Sequence, residues 1–133
     1  MRYLLDTNVC VMYLNGRSES VRDRLLMTPI QDIVVCSVVK AELFYGAMKS
    51  NNPSRTLERQ QQFLARFVSL PFCDEAAIIF GEVRAVLASA GTPIGPCDLQ
   101  IAAIAMANDL TLVTHNMGEF SRVSGLRFED WQV

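Results

Sequence analysis

The sequence has only two lysines, Lys40 and Lys49, a single histidine, His115, and no long apolar run. Each shortage removes a class of function. No stretch approaches the roughly 20 apolar residues that span a bilayer, and no leader-like segment precedes the first apolar run. A cytoplasmic protein without membrane contact is expected. Cys10, Cys36, Cys73 and Cys97 stand singly, without Cys-x-x-Cys spacing. With one histidine beside them, they do not make a zinc site. They read as small core residues of a reducing compartment. The net charge of −2 and pI near 5.3 exclude a strongly basic nucleic-acid coat, although charge can still be unevenly spread. Gly-x-x-x-x-Gly-Lys, Gly-x-Gly-x-x-Gly and Gly-x-Ser-x-Gly are all missing. That removes a P-loop, a dinucleotide fold and a serine-hydrolase elbow.

What is present is an α/β alternation. The 133 residues are half hydrophobic, enough for one domain, 1–133, with a core that needs no staples. Arg2-Tyr-Leu-Leu-Asp6 reads as a buried parallel strand that runs into a carboxylate. Thr7 and Asn8 are good N-caps for the short helix after it, which Asn15-Gly16 ends. A second helix follows a cap at Ser18 or Ser20 and stops at Pro29; Ile33 to Cys36 is the next strand. Ser37 is expected to cap a helix from Val38 to about Met48, and Ser54 another from Arg55 to Phe67. Val68 to Phe72 reads as a third strand, with Asp74 capping a long helix through Ala90. The loop Gly91 to Pro96 then opens onto a helix from Cys97 to Asn108 so apolar that it must be largely buried. Leu110 to Thr114 is a further parallel strand, and the tail Leu126 to Trp131 adds a last short one. The fold class is therefore α/β, a three-layer α/β/α domain around a mainly parallel sheet of four to five strands.

Acids recur at one address in this pattern. Asp6, Glu42, Asp98, and Asn116 with Glu119 all stand just past strand ends or in the first turns of helices, on one edge of the sheet. Taken singly, Asp6 and Asp98 can be helix caps and Glu42 a solvated residue. Taken together, carboxylates converging without lysine or arginine partners repel, and a divalent cation is what makes such a cluster tolerable. All-oxygen ligation points to Mg²⁺, with Mn²⁺ as substitute. That inventory suits metal-assisted phosphodiester hydrolysis. Thr7, Asn8 and Thr114 are candidates to orient the carboxylates. His115 is read as lining the rim or touching phosphate rather than as a catalytic base.

As an ordered set, Leu-Leu-Asp6-Thr-Asn8, Ala-Glu42-Leu-x-Tyr-Gly46, Gly95-Pro-x-Asp98-x-x-Ile-Ala-Ala103 and Val-Thr-x-Asn116-x-x-Glu119-Phe120 resemble the PIN-domain ribonucleases. More narrowly, they are similar to the VapC toxins of bacterial toxin–antitoxin modules. The resemblance runs from the first strand to Gly125-Leu-Arg-x-Glu-Asp-Trp131. It implies a Mg²⁺- or Mn²⁺-dependent endoribonuclease held inactive by a cognate VapB antitoxin, whose arginine can enter the acidic site. It implies that Asp6 and Asp98 are the principal metal ligands and Glu42 the third acid. Asn116 stands where the family often has an aspartate, so a second metal would bind weakly or Glu119 would reach in. The resemblance further implies a homodimer, making Phe44/Tyr45 and Phe63/Phe67 candidate contact surfaces against the competing reading of ordinary intrachain packing. It also implies tRNA cleavage, including the initiator tRNA anticodon loop. Arg17, Arg22, Arg24 and Arg55 are the basic candidates for RNA contact, against a solvated-face reading for each.

Two other classes fit parts of this pattern. One is another Mg²⁺-dependent phosphoryl-transfer hydrolase, such as a small phosphatase. However, Asp6-Thr-Asn8 lacks the second aspartate expected of the haloacid-dehalogenase type. The other is a non-catalytic RNA- or partner-binding module, against which the acids at 6, 42 and 98 stand.

Overall fold

The computed structural model describes residues 1–133. Its centre is a five-stranded parallel sheet of β1 (Tyr3–Leu5), β2 (Ile33–Cys36), β3 (Val68–Leu70), β4 (Thr111–Val113) and β5 (Phe128–Glu129). The spatial order is β3-β2-β1-β4-β5. Leu4 of β1 faces Val34 on one side and Leu112 on the other. β1 and β2 are buried along their whole length, as continuous apolar runs in a parallel sheet require.

Between strands lie α1 (Thr7–Leu14), α2 (Glu19–Met27), α3 (Ser37–Met48), α4 (Pro53–Leu64), α5 (Asp74–Ser89), α6 (Pro96–Ala107) and α7 (Met117–Phe120). The chain steps outward from β1 to β3, then crosses back to β4. Right-handed crossovers in that order put α1 to α4 over one face and α5 and α6 over the other. The strand order therefore reverses between β1 and β4. The crevice at such a reversal is where open α/β sheets bind ligands.

Most elements follow the sequence pattern, with corrections at the caps. Asp6, rather than Thr7 or Asn8, caps α1, its carboxylate accepting the Thr7 N–H. Ser18 caps α2, and Asn52 rather than Ser54 caps α4, because Pro53 already occupies the first helical position. Ser37 and Asp74 are the first residues of their helices, not the caps; Cys36 and Cys73 stand there without a side-chain bond. β3 ends at Leu70, two residues short of Phe72, and it is an exposed edge. α6 is the buried helix its composition requires, with Ile101 through Ala105 all in the core.

One apolar cluster of 29 residues fills both sides of the sheet. Phe63 and Phe67 belong to it at 5% and 8% exposure, so they are core residues and not a free contact surface. Tyr13 stacks on Phe63 at 5.0 Å, which closes α1 against α4. Of the other proposed surface pair, Phe44 is half-buried against the cluster and Tyr45 is exposed.

The tail is tied down by Trp131, 1% exposed, whose ring meets Tyr3 edge-on at 5.2 Å. The Ser20 hydroxyl donates to the Trp131 carbonyl at 2.6 Å, and the Arg24 guanidinium covers the indole at 5.0 Å. Trp131→Ala should therefore destabilise the protein by about 3–5 kcal/mol in urea unfolding. A loss below about 1 kcal/mol would show that the tail packs without anchoring the sheet.

Candidate active site

The β1–β4 reversal puts two residues at the centre of the site. Asp6 leaves the end of β1, and its N–H donates to the Val113 carbonyl of β4 at 2.9 Å. Its side chain is 3% exposed, and each oxygen has a donor. Oδ1 accepts from the Thr7 N–H and Oδ2 from the Thr114 hydroxyl, both at 2.8 Å. Burial raises the Asp6 carboxyl above its ordinary range. The two hydrogen bonds oppose that shift, and Glu42 and Glu119 add to it.

The other acids are held by the same kind of neutral donor. Glu42, from α3, accepts the Thr7 hydroxyl at 2.6 Å. Asp98 lies in the first turn of α6, where Pro96 starts the helix. The Asn116 amide donates to Asp98 Oδ2 at 3.5 Å and to Glu119 Oε2 at 3.1 Å. Asn116 is itself fixed, because its N–H donates to Thr114 Oγ1 at 3.0 Å. A chain of contacts thus runs from Glu42 through Thr7, Asp6, Thr114 and Asn116 to Asp98 and Glu119. An aspartate at 116 would add a fifth like charge and remove the amide that braces two carboxylates.

No ion pair involves any of the four acids; the ion pairs are Arg22–Asp23, Arg24–Glu129 and Arg127–Asp109, and His115 is hydrogen-bonded to Asp130. The Asp98 carboxyl is pushed up to about 7, first by burial, then by sharing a proton with Glu119, then by the charges of Asp6, Glu119 and Glu42. The same hydrogen bond lowers Glu119, which faces solvent. Proton affinity therefore rises on Asp98, the more buried partner, and falls on Glu119. In the absence of a cation the cluster relieves its repulsion by protonation.

Sequence reasoning named Asp6, Thr7, Glu42, Asp98, Thr114, Asn116 and Glu119, and the fold gathers all seven. Asn8 is different: it makes no hydrogen bond to these carboxylates and is exposed on an adjoining cleft. The pairing of His115 with Asp130, 15 residues apart, carried no motif and was missed. So was Gln60, at 7% exposure, whose Oε1 is buried without a partner. Gln60 lines a cavity of about 220 Å³ whose wall includes Thr7 and Glu42 but not Asp6, Asp98 or Glu119.

The donor set can be tested against a divalent ion. No three acid, histidine or cysteine side chains converge tightly enough to hold one unaided. Mg²⁺ does not require that, since it binds through one or two carboxylates and keeps several waters. Carboxylates in no ion pair, one of them pushed up to about 7, are the chemistry such an ion fits.

A PIN-domain family model matches residues 3–126. The chain is 39% identical over 131 residues to the tRNA(fMet)-specific endonuclease VapC of Salmonella typhimurium, covering 98% of both chains. It is 40% identical to the protein of the same name from Shigella flexneri, again over 131 residues and 98% of both. Ribonuclease VapC2 of Rickettsia felis is 38% identical over 132 residues, with the same coverage. Among solved structures, DNA-bound VapBC from Salmonella typhimurium superposes with a TM-score of 0.93 at 39% identity, covering 98% of each chain. VapBC2 from Rickettsia felis, bound to a promoter DNA fragment, gives 0.91 at 37% identity, covering 98% of this chain and 99% of that one.

The shared proton has a consequence for stability. An unfolded aspartate titrates near pH 4, whereas folded Asp98 keeps its proton to about pH 7. Between those values the folded state binds more protons than the unfolded one, so metal-free stability falls as pH rises. Melting in EDTA should show Tm declining from about pH 4 to about pH 7. Asp98→Asn should flatten that decline, leaving a remainder from Asp6. An equally steep decline in the variant would place the proton elsewhere.

Proposed function

The chain belongs to the PIN-domain family and, within it, to the VapC ribonucleases, and we propose that it is a metal-dependent endoribonuclease toxin of a toxin–antitoxin module. The observation that carries this reading is the gathering of Asp6, Glu42, Asp98 and Glu119 at the sheet's reversal, braced by neutral donors and free of ion pairs. As one PIN domain over residues 1–133, it would act in the cytoplasm; no helix is long and apolar enough to cross a membrane.

Asp6 and Asp98 would hold Mg²⁺, or Mn²⁺ in its place, and Glu42 and Glu119 would complete the acidic set. When bound, the ion supplies an activated water and charge neutralisation at a scissile phosphate. The protein's own part is orientation. Thr114 and the Thr7 N–H fix both oxygens of Asp6, so that its lone pairs point into the crevice rather than turn with solvent. Asn116 holds Asp98 and Glu119 at one spacing. The Thr7 hydroxyl keeps Glu42 from swinging out with its helix.

The substrate we propose is tRNA, specifically the anticodon loop of initiator tRNA, supported by the names of the Salmonella and Shigella relatives. Unpaired loop nucleotides suit a shallow acidic crevice, since their backbone can be drawn against it without melting a helix. A cognate VapB-type antitoxin is the partner, supported by the VapBC complexes the chain resembles. An arginine from that partner would pair carboxylates that otherwise need metal, so inhibitor and ion would compete for one set of oxygens. The active unit we propose is a homodimer.

Purified, antitoxin-free protein should cut total tRNA to a discrete product with Mg²⁺ or Mn²⁺ and not with EDTA, leaving ribosomal RNA intact. Asp6→Asn and Asp98→Asn should each lower the rate by at least about 100-fold, and Thr114→Val by about tenfold. No cleavage by folded protein that binds the metal would overturn the nuclease reading. Cleavage spread over many tRNAs would overturn only the initiator assignment.

A further inference from the structure

We propose that the cleft edged by Arg17 and His115 is a second RNA-contact site, which holds the ribose–phosphate neighbouring the one that is cut. The proposal rests on the nuclease reading above but turns on different residues. The cleft, about 510 Å³, runs between the start of α1 and the turn after β4; Asn8, Arg17, His115, Asn116 and Gln132 line it. Asn116 connects it to the acids, because the same amide donates to Asp98 and Glu119.

The His115 ring is held, not free. Asp130, only 12% exposed, sits with Oδ2 at 2.8 Å from His115 Nδ1, while its Oδ1 accepts the Gln132 N–H at 2.9 Å. An ionised carboxylate only accepts, so Nδ1 carries the proton of this bond. Both Asp130 oxygens are thereby used to orient one ring that is itself 57% exposed. Nε2 has no protein partner. It is an acceptor for a ribose 2′-hydroxyl when the ring is neutral and a donor to a phosphate oxygen when it is charged.

The arginines single out the same place. Arg24 and Arg127 are spent on Glu129 and Asp109. Arg59 and Arg122 donate to the carbonyls of Leu14 and Pro93. Arg66 lies over Phe63 and Phe67. Arg2 and Arg84 lie over Tyr3 and Phe80, and Arg22 pairs with Asp23. Arg17 and Arg55 have no such partner, and of these two it is Arg17 that lines the cleft adjoining the acidic crevice. A polyanion approaching four carboxylates needs a compensating contact close by, and an unspent guanidinium and the oriented imidazole stand together there.

A merely structural His115–Asp130 tie, closing the tail onto β4, is the competing account, and RNA binding separates the two. In the Asp98→Asn background, which blocks cleavage, a fluorescein-labelled single-stranded RNA is titrated at several salt concentrations. Arg17→Ala should weaken binding about five- to tenfold and lower the salt slope by about one. His115→Ala should weaken it about fivefold and Asp130→Ala about threefold, since the latter leaves the ring in place but unheld. Arg127→Ala, with its guanidinium on Asp109, should bind RNA unchanged. In otherwise wild-type protein, Arg17→Ala and His115→Ala should raise KM for RNA several-fold with kcat little changed. His115→Gln provides a second variant should His115→Ala not fold. Unchanged affinity and salt slope in folded Arg17 and His115 variants would overturn the proposal, as would an Asp98→Asn protein that binds no RNA. Weakened binding in the variants of a protein that cuts nothing would leave this site standing and sink the nuclease reading instead.

Discussion

Four carboxylates at one crevice, none of them in an ion pair, are the constraint around which this molecule is arranged. Like charges at such spacing raise one another's proton affinity, and burial compounds the effect. The chain meets that repulsion with donors that carry no charge: two threonine hydroxyls, one asparagine amide and one backbone N–H. A lysine in the same place would have neutralised the acids and left nothing for a cation to do. Neutral donors fix direction without cancelling charge, and so keep the site in want of a counterion. The proton shared by Asp98 and Glu119 is the measure of that want.

The fold supplies the convergence through topology rather than through any local motif. Asp6 and Thr114 are 108 residues apart in sequence, yet β1 and β4 are hydrogen-bonded neighbours, and both residues leave those strands at their carboxyl ends. Glu42 arrives on α3 and Asp98 on α6, helices that the crossover back to β4 puts on opposite faces. The apolar strands matter here because a buried parallel sheet does not slip. A register shift of one residue between β1 and β4 would turn Asp6 away from Thr114 and break the chain of donors at its middle.

How much of this was legible depends on whether the signal was local. The βα alternation, the apolar α6 and the acids at strand ends are patterns of a few adjacent residues, and they survive in the structure. Of the cap identities, Ser18 did and others did not, because capping depends on which of several polar residues first turns helical, and Pro53 and the strand-to-helix turn at Cys36 decided that. Phe63 and Phe67 look like a surface on a helical wheel, but Tyr13 covers Phe63 from a helix the wheel does not include. Asn8 was grouped with Thr7 by proximity in sequence. One step along a helix turns a side chain by about 100°, and that suffices to send it to the adjoining cleft. Asp130 was invisible for the opposite reason: nothing near it in sequence hints that it holds His115.

The charge balance of the whole chain then takes on a definite meaning. With a net charge of −2, the surface as a whole offers a polyanion no general electrostatic attraction. An RNA would have to be retained by a small number of placed contacts: an ion at the acids, and beside it whatever positive or hydrogen-bonding groups the fold leaves unspent. Most arginines are already committed to acids, carbonyls or aromatic rings, where they stabilise the fold and no longer attract a ligand. A nuclease built this way gives up affinity for nucleic acid in general. In return, binding and cutting would depend on the same few residues, so an RNA unable to reach Arg17 and the acids together would gain little from touching either. Such an economy also makes the site easy to silence, since one guanidinium seated among the carboxylates removes the charge on which ion binding depends.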